Sequence, residues 1–232
     1  MDEGIRLAKR VAELVSCSRA EAERYIAGGW VSVDGEVVDE PATRVLPAQQ
    51  VALLPGATAE EPQPVTILLH KPAGLHGKAA LDSLQLDTLF PAYEGERALK
   101  RHLTRLTPAM PLEVMASGLV VFSQDWRVVR KLTQDSDRIE QEYVAEVTGA
   151  ILEDGLARLN AGGTPKAPIK ASWQSEARLR FAGKGIAPGQ IEALCARVGL
   201  QVTSLRRLRI GRVALSGLPA GQWRYLREIE KF

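Results

Sequence analysis

Apolar residues along the first part of the chain recur first every three or four positions and then every two. Ile5, Ala8, Ala12 and Val15 hold helical spacing and predict a first helix. Ser18-Arg19-Ala20-Glu21 is a capping box that opens a second one. Ala22, Tyr25 and Ile26 form the apolar side of that helix, and Gly28-Gly29 ends it. The period then falls to two. Trp30-Val31-Ser32-Val33, a turn at Asp34-Gly35, and Glu36-Val37-Val38 predict a hairpin, with Val51-Ala52-Leu53-Leu54 as a closing strand.

The stretch Pro55–Pro64 breaks the pattern with small residues, two glutamates and three prolines, and reads as an exposed linker. We therefore expect a small domain over 1–58, a linker over 59–64 and a larger domain over 65–232. The larger part opens on the apolar strand Val65-Thr66-Ile67-Leu68-Leu69, stopped by Lys71-Pro72. Further strands are predicted at Gly118–Phe122, Tyr143–Val147, Val202–Leu205 and Val213–Leu215, and helices at Arg127–Thr133 and Gln190–Val198. Strands and helices do not alternate regularly, so the fold class is α+β.

Composition narrows the function classes. A 232-residue chain fits two domains, and 45% hydrophobic with 25% charged residues is ordinary globular usage. No apolar run approaches the ~18 residues of a membrane span, and no secretory core follows the N-terminus. Cys17 and Cys195 lie far apart and read as reduced packing residues, which fits the cytoplasm. His70, His76 and His102 lack ligand spacing and read as surface or turn histidines, so no metal is expected. The four Trp read as core or strand-packing residues. Net charge is +2, but residues 1–62 carry 6 Lys+Arg against 11 Asp+Glu, and the rest 24 against 17. A polyanion is drawn first to the larger part.

Charged positions give local candidates. Arg6, Lys9 and Arg10 share one predicted helical face, and Arg19 and Arg24 extend it. Arg206, Arg207, Arg209 and Arg212 cluster on a predicted strand, where alternation puts Arg207 and Arg209 on one face. Either an RNA contact or a charged strand edge satisfies that pattern. Arg97, Lys100, Arg101 and Arg105 have helical spacing and leave the same two readings open.

The order Ile-Arg-Leu-Ala-Lys, then Cys-Ser-Arg-Ala-Glu-Ala-Glu-Arg, then Gly-Trp-Val-Ser-Val-Asp-Gly-Glu-Val-Val resembles the ribosomal S-four RNA-binding domain over about residues 5–54. That resemblance implies two helices laid on structured RNA. It places Arg6, Lys9, Arg10, Ser18, Arg19 and Arg24 at or near the contact face.

Later stretches extend the likeness. His70-Lys71-Pro72-Ala73-Gly74, Gly118–Asp125, Glu142-Tyr143-Val144-Ala145-Glu146-Val147, Leu205–Gly211 and Leu215–Arg224 resemble bacterial rRNA pseudouridine synthases of the small- and large-subunit type. The spacing from Asp125 to Tyr143 is most similar to the branch acting on both large-subunit rRNA and a tRNA. The resemblance implies a small S-four-type domain before a larger one with a mixed, mostly antiparallel sheet. It also implies a monomer that needs no cofactor, no membrane contact, and RNA contacts that include Lys71, Arg207 and Arg209.

The chemistry of that family detaches the base, turns it and rejoins it through carbon, using an aspartate in a Gly-Arg-Leu-Asp-x-x-Thr-x-Gly-Leu loop. Here Met110-Pro111-Leu112-Glu113-Val114-Met115-Ala116-Ser117-Gly118-Leu119 matches it, with Glu113 at the catalytic position and Pro111 and Ala116 replacing arginine and threonine. Tyr143 is kept, placed to stack on the base or to act in proton transfer. The basic residue two before it, which the family pairs with the carboxylate, is Gln141. The family's Asn-Arg-Gln-Ile-Arg-Arg-Met helix start is Ala187-Pro188-Gly189-Gln190-Ile191-Glu192-Ala193-Leu194 here. Two readings follow. If Glu113 supports turnover, the chain isomerises uridine in large-subunit rRNA or a tRNA stem-loop. Otherwise it is an RNA-binding or ribosome-assembly factor that keeps the fold.

Overall fold

The computed structural model describes residues 4–92, 97–164 and 166–232. The chain divides into two compact units. The first holds the residues up to Pro64 together with a later segment that ends at Thr104; the second holds the remainder from Val65.

The first unit carries β1 (Ile5–Arg6), α1 (Leu7–Val15), α2 (Arg19–Ala27), β2 (Val31–Val33), β3 (Glu36–Val37), β4 (Arg44–Val45) and β5 (Val51–Leu53). Helix α2 starts where the capping box predicts. The Glu21 amide donates to Ser18 Oγ at 3.2 Å, and the Ser18 amide donates to Glu21 Oε2 at 2.9 Å. The hairpin turn also forms, with Asp34 and Gly35 both at positive φ as a two-residue turn of this hand requires. Leu7, Ala8, Val11, Ala22, Ile26, Val31, Val33 and Val45 make the core.

One expectation fails at the first helix. Ile5 and Arg6 are extended, because they pair with Val45 and Arg44 of β4, and Arg6 becomes the N-cap of α1.

The segment Arg97–Thr104 packs on this unit as well. Arg97 lies over the Trp30 ring, 5.0 Å from its centroid, and donates to the Gly29 carbonyl at 2.8 Å. The Arg101 amide donates to Asp39 Oδ2 at 2.8 Å, and His102 is buried. The helical spacing of Arg97–Arg105 is realised only as the short 3-10 turn Lys100–Leu103. These backbone and ring contacts compete with a longer helix.

The second unit contains β6 (Thr66–Lys71), α3 (Gly77–Asp82), β7 (Thr107–Ala109), β8 (Ser117–Ser123), α4 (Trp126–Gln134), β9 (Glu140–Gly149), α5 (Gly155–Asn160), β10 (Ile169–Ser175), β11 (Arg178–Lys184), α6 (Gln190–Arg197), β12 (Leu200–Ile210), β13 (Val213–Ala214) and β14 (Trp223–Tyr225). Its sheet runs β10-β11-β9-β12-β8-β6-β14, with β13 added to β12 and β7 to β8. Every pairing is antiparallel except β12 with β8. The sheet is mixed, within an α+β fold.

That parallel seam depends on Gly118. It sits at φ 111°, and a Cβ there would come within 2.3 Å of the Arg207 carbonyl oxygen. Only glycine lets the two backbones approach this closely.

The tryptophans divide. Trp223 is fully buried, edge-on to Tyr225, whereas Trp126 is 67% exposed and Trp30 serves as the seat of Arg97. The histidines differ from expectation too. His70 is buried with Nδ1 at 2.7 Å from the Leu218 carbonyl, and only His76 stays exposed, as the N-cap of α3.

Candidate active site

Three adjacent strands bring the site together. Arg207 of β12 is in register with Gly118 of β8 on one side and Tyr143 of β9 on the other. Directly opposed residues share a face of the sheet, so the Arg207 and Tyr143 side chains point the same way. The loop before β8 carries Glu113 over that face. Glu113, Tyr143, Arg207, Gln141, Met110 and Pro111 line a single cavity of about 370 Å³, with Ile186, Ala187 and Pro188 also on its wall. The volume falls in the ~300–1,000 Å³ range of small-molecule sites.

The Glu113 carboxylate is held in place. Its Oε1 accepts the backbone N–H of Gly189 at 2.8 Å, just before α6, where backbone donors and the helix dipole favour a negative charge. The extra methylene over aspartate lets it reach this anchor. Among the described residues its other oxygen has no hydrogen bond, which leaves that oxygen for chemistry.

Tyr143 is buried, and its hydroxyl donates to Gln141 Oε1 at 2.8 Å. Burial raises the phenol pKa, an effect that Glu113 and Glu192 reinforce and Arg207 opposes. Arg207 is enclosed on all sides. Its Nε donates to the Leu119 carbonyl at 2.8 Å, its Nη1 to Gln141 Oε1 at 3.2 Å and to the Tyr143 hydroxyl at 3.5 Å, and its Nη2 to the Met110 carbonyl. Burial pulls its pKa below the usual guanidinium value, with Tyr143 and Glu113 acting against that pull.

Two expected RNA contacts are thereby corrected. Arg207 is 1% exposed, and Lys71 is 2% exposed with its amine spent on the carbonyls of Pro72, Leu75 and Val114. Neither reaches the surface. Burial also lowers the Lys71 pKa, while the nearby Glu113 charge raises it.

Arg209 lies on the other face of the strand. The β12–β9 register shifts between Arg207 and Arg209, so Arg207 opposes Tyr143 while Arg209 opposes Glu142, its neighbour on the other face. There Arg209 pairs with Glu142 and Glu140. Arg180 also pairs with Glu142, and this bond, with the help of Arg209, lowers the Glu142 pKa.

The first unit gathers its cations in the open. Arg6, Lys9, Arg19 and Arg44 border one cavity of about 670 Å³ beside Cys17. Arg44 was missed by the sequence reading. The signal was the β1–β4 pairing, which sets Arg44 opposite Arg6 and which no local pattern announced. Of the remaining candidates, Arg10 is exposed, Ser18 is occupied as the cap of α2, and Arg24 is half-buried on the same helix. Lys9 and Arg19 stand in exposed pairs with Glu13 and Glu23, which hold them only weakly.

Comparison with known proteins supplies the frame. Residues 5–51 match the S4 domain family. The dual-specificity RNA pseudouridine synthase RluF of Escherichia coli strain K12 is 28% identical over 240 residues, covering 99% of this chain and 78% of that protein. Ribosomal small subunit pseudouridine synthase A of Salmonella typhimurium is 28% identical over 97% of this chain and 98% of its own length. A crystal structure of a pseudouridylate synthase shares the fold at TM-score 0.57, with 21% identity, over 97% of this chain and 96% of that one.

Over nearly its whole length the chain is similar to bacterial RNA pseudouridine synthases. Set against the loop that the sequence resembles, it departs at Glu113, Pro111 and Ala116. It also replaces the cation beside the carboxylate, because Gln141 now sits in a hydrogen-bonded group with Tyr143 and Arg207. The sequence pattern showed the loss at position 141. It did not show the buried guanidinium next to it, since that depends on three strands meeting.

Proposed function

We propose that this chain isomerises uridine to pseudouridine in structured RNA, with large-subunit rRNA as the main substrate class and a tRNA stem-loop as the second. The observation that carries this reading is the shared cavity of Glu113, Tyr143 and Arg207. A uridine must leave its stack to enter such a cavity, at a cost of a few kcal/mol.

Once there, the free carboxylate oxygen of Glu113 attacks the sugar or takes a proton from it. The bond between N1 and C1′ breaks and its electron pair goes to the base. The base turns and C5 bonds to C1′ as the Glu113–C1′ bond breaks or, where Glu113 took a sugar proton, as it returns that proton to the sugar; the C5 proton then leaves to solvent and N1 takes up a proton. Tyr143 lines the cavity with its hydroxyl already committed, so it serves as a surface for the base to pack on. Substrate RNA is gathered by Arg6, Lys9, Arg10, Arg19, Arg24 and Arg44, acting on phosphates in the cytoplasm. The chemistry calls for no cofactor.

The test is tritium release from rRNA fragments and tRNA stem-loops labelled at uridine C5. Wild type should release label, and Glu113→Gln should slow release by about 1,000-fold with RNA affinity kept. No release by wild type on either RNA class would leave an RNA-binding factor.

A further inference from the structure

Among the described residues Arg207 is the one fully buried cation that borders the cavity, and its bonding is not what a purely fold-stabilising charge would need. Buried charges are ordinarily paired with an opposite charge. Among the described residues its hydrogen bonds go only to neutral oxygens: two carbonyls, the Gln141 amide and the Tyr143 hydroxyl. The carbonyls of Leu119 and Met110 brace strand β8 and the loop that holds Glu113, and a neutral donor would serve them equally. The positive charge has no hydrogen-bonded counter-charge among the described residues, and Glu113 acts on it only through its field.

Its placement gives that charge a use. Arg207 lies in register beside Tyr143 and lines the same cavity as Glu113. A fixed cation in a dry cavity acts most strongly on charge that develops there.

We propose that Arg207 is the positioning residue of this site, holding Tyr143 by its hydroxyl and setting a permanent positive charge where the detached uracil becomes an anion. The inference rests on the uridine-isomerising reading. Arg207 donates no proton in it. The electron pair from the broken N1–C1′ bond stays on the base until C5 attacks, and the guanidinium steadies that anion and holds Tyr143 fixed beside it. Around the phenol, the opposing charges are Glu113 from the loop and Glu192 from α6, both of which raise its pKa. Arg207 is the cation that counters them.

Three variants of the full chain test the assignment. Arg207→Gln keeps a donor and removes the charge; Arg207→Lys keeps the charge and loses the planar fork; Tyr143→Phe identifies the Tyr143 signal in an ultraviolet titration of phenol ionisation. Arg207→Gln should lower kcat for tritium release by about 100-fold, with KM for RNA within about twofold of wild type. Its Tyr143 phenol should ionise at a higher pH than in the wild type. Arg207→Lys should keep kcat within about tenfold and return the phenol to the wild-type position.

A folded Arg207→Gln protein with wild-type kcat and an unmoved phenol overturns the role of Arg207 and leaves the function reading standing. If Arg207→Gln does not fold, Arg207→Lys decides, and a folded Lys variant that loses more than about tenfold in kcat overturns it. Absence of release by the wild type is a different result. It removes the function reading and the role of Arg207 with it.

Discussion

The two units hold cations in opposite ways. In the first, Arg6, Lys9, Arg19 and Arg44 border an open cavity and are anchored at most by exposed pairs or a single carbonyl. In the second, Arg207 and Lys71 are buried and their donors are used by the backbone and by neutral side chains. An exposed guanidinium keeps its hydration and trades it for phosphate, so its contribution appears as salt-dependent affinity. A buried one has already lost its water, so its field acts on whatever occupies the cavity. Equal formal charge therefore does different work in the two places. Counting arginines along the sequence merges them.

The strongest way to break the comparison is at the seam that seats Arg207. Gly118→Ala places a methyl group 2.3 Å from the Arg207 carbonyl oxygen at a backbone angle disfavoured for L residues. We expect a loss of about 3 kcal/mol or more in urea unfolding of the second unit. Stability equal to wild type would show that the seam is not close-packed.

Neutralising the open set should have the reverse signature. The combined Arg6→Gln, Arg19→Gln and Arg44→Gln variant should bind substrate RNA about 10- to 100-fold more weakly, with a salt slope flatter by about one per lost phosphate contact. kcat at saturating RNA should stay near wild type. A fall in kcat with affinity intact would erase the division of labour between the units.

A smaller effect is expected from His102. Burial, reinforced by Arg101, lowers its pKa from 6.5 to about 4, against the pull of Asp39. The unfolded chain therefore binds the extra proton at a higher pH than the folded one. This stabilisation is complete above pH 6.5 and is lost as pH falls toward about 4. Allowing for partial screening by solvent, it amounts to about 1–2 kcal/mol. Chemical denaturation of wild type and His102→Gln across that window should diverge at neutral pH and converge near its acid end.

The smallest change should come from Arg209→Gln. It breaks the partly covered pairs with Glu140 and Glu142, worth about 1 kcal/mol together, and should leave the salt slope of RNA binding unchanged. A flatter slope would return Arg209 to the phosphate-contacting set.

Much of this was legible in local pattern. Capping at Ser18, the turn at Asp34-Gly35, the closing strand and most of β6, β8 and β9 follow from spacings within a dozen residues, where helix and strand periods differ. The hairpin of β10 and β11 was missed. Its polar, charged faces carry a weak apolar alternation, and it is stabilised by pairing with β9 and by the Arg178 and Arg180 ion pairs. Arg97–Thr104 was also misread, because its partners Gly29, Trp30 and Asp39 lie far back in the chain.

At the site, the resemblance of Met110–Leu119 and Glu142–Val147 to the motifs of pseudouridine synthases singled out Glu113 in a loop and Tyr143 in a strand. Which cation accompanies them was decided by tertiary structure. A shift of register between two neighbouring arginines sends Arg207 inward to Tyr143 and Arg209 outward to Glu142. A side chain's face depends on the strand it pairs with, and one extra residue in a ladder reverses it. No reading of the strand by itself supplies that.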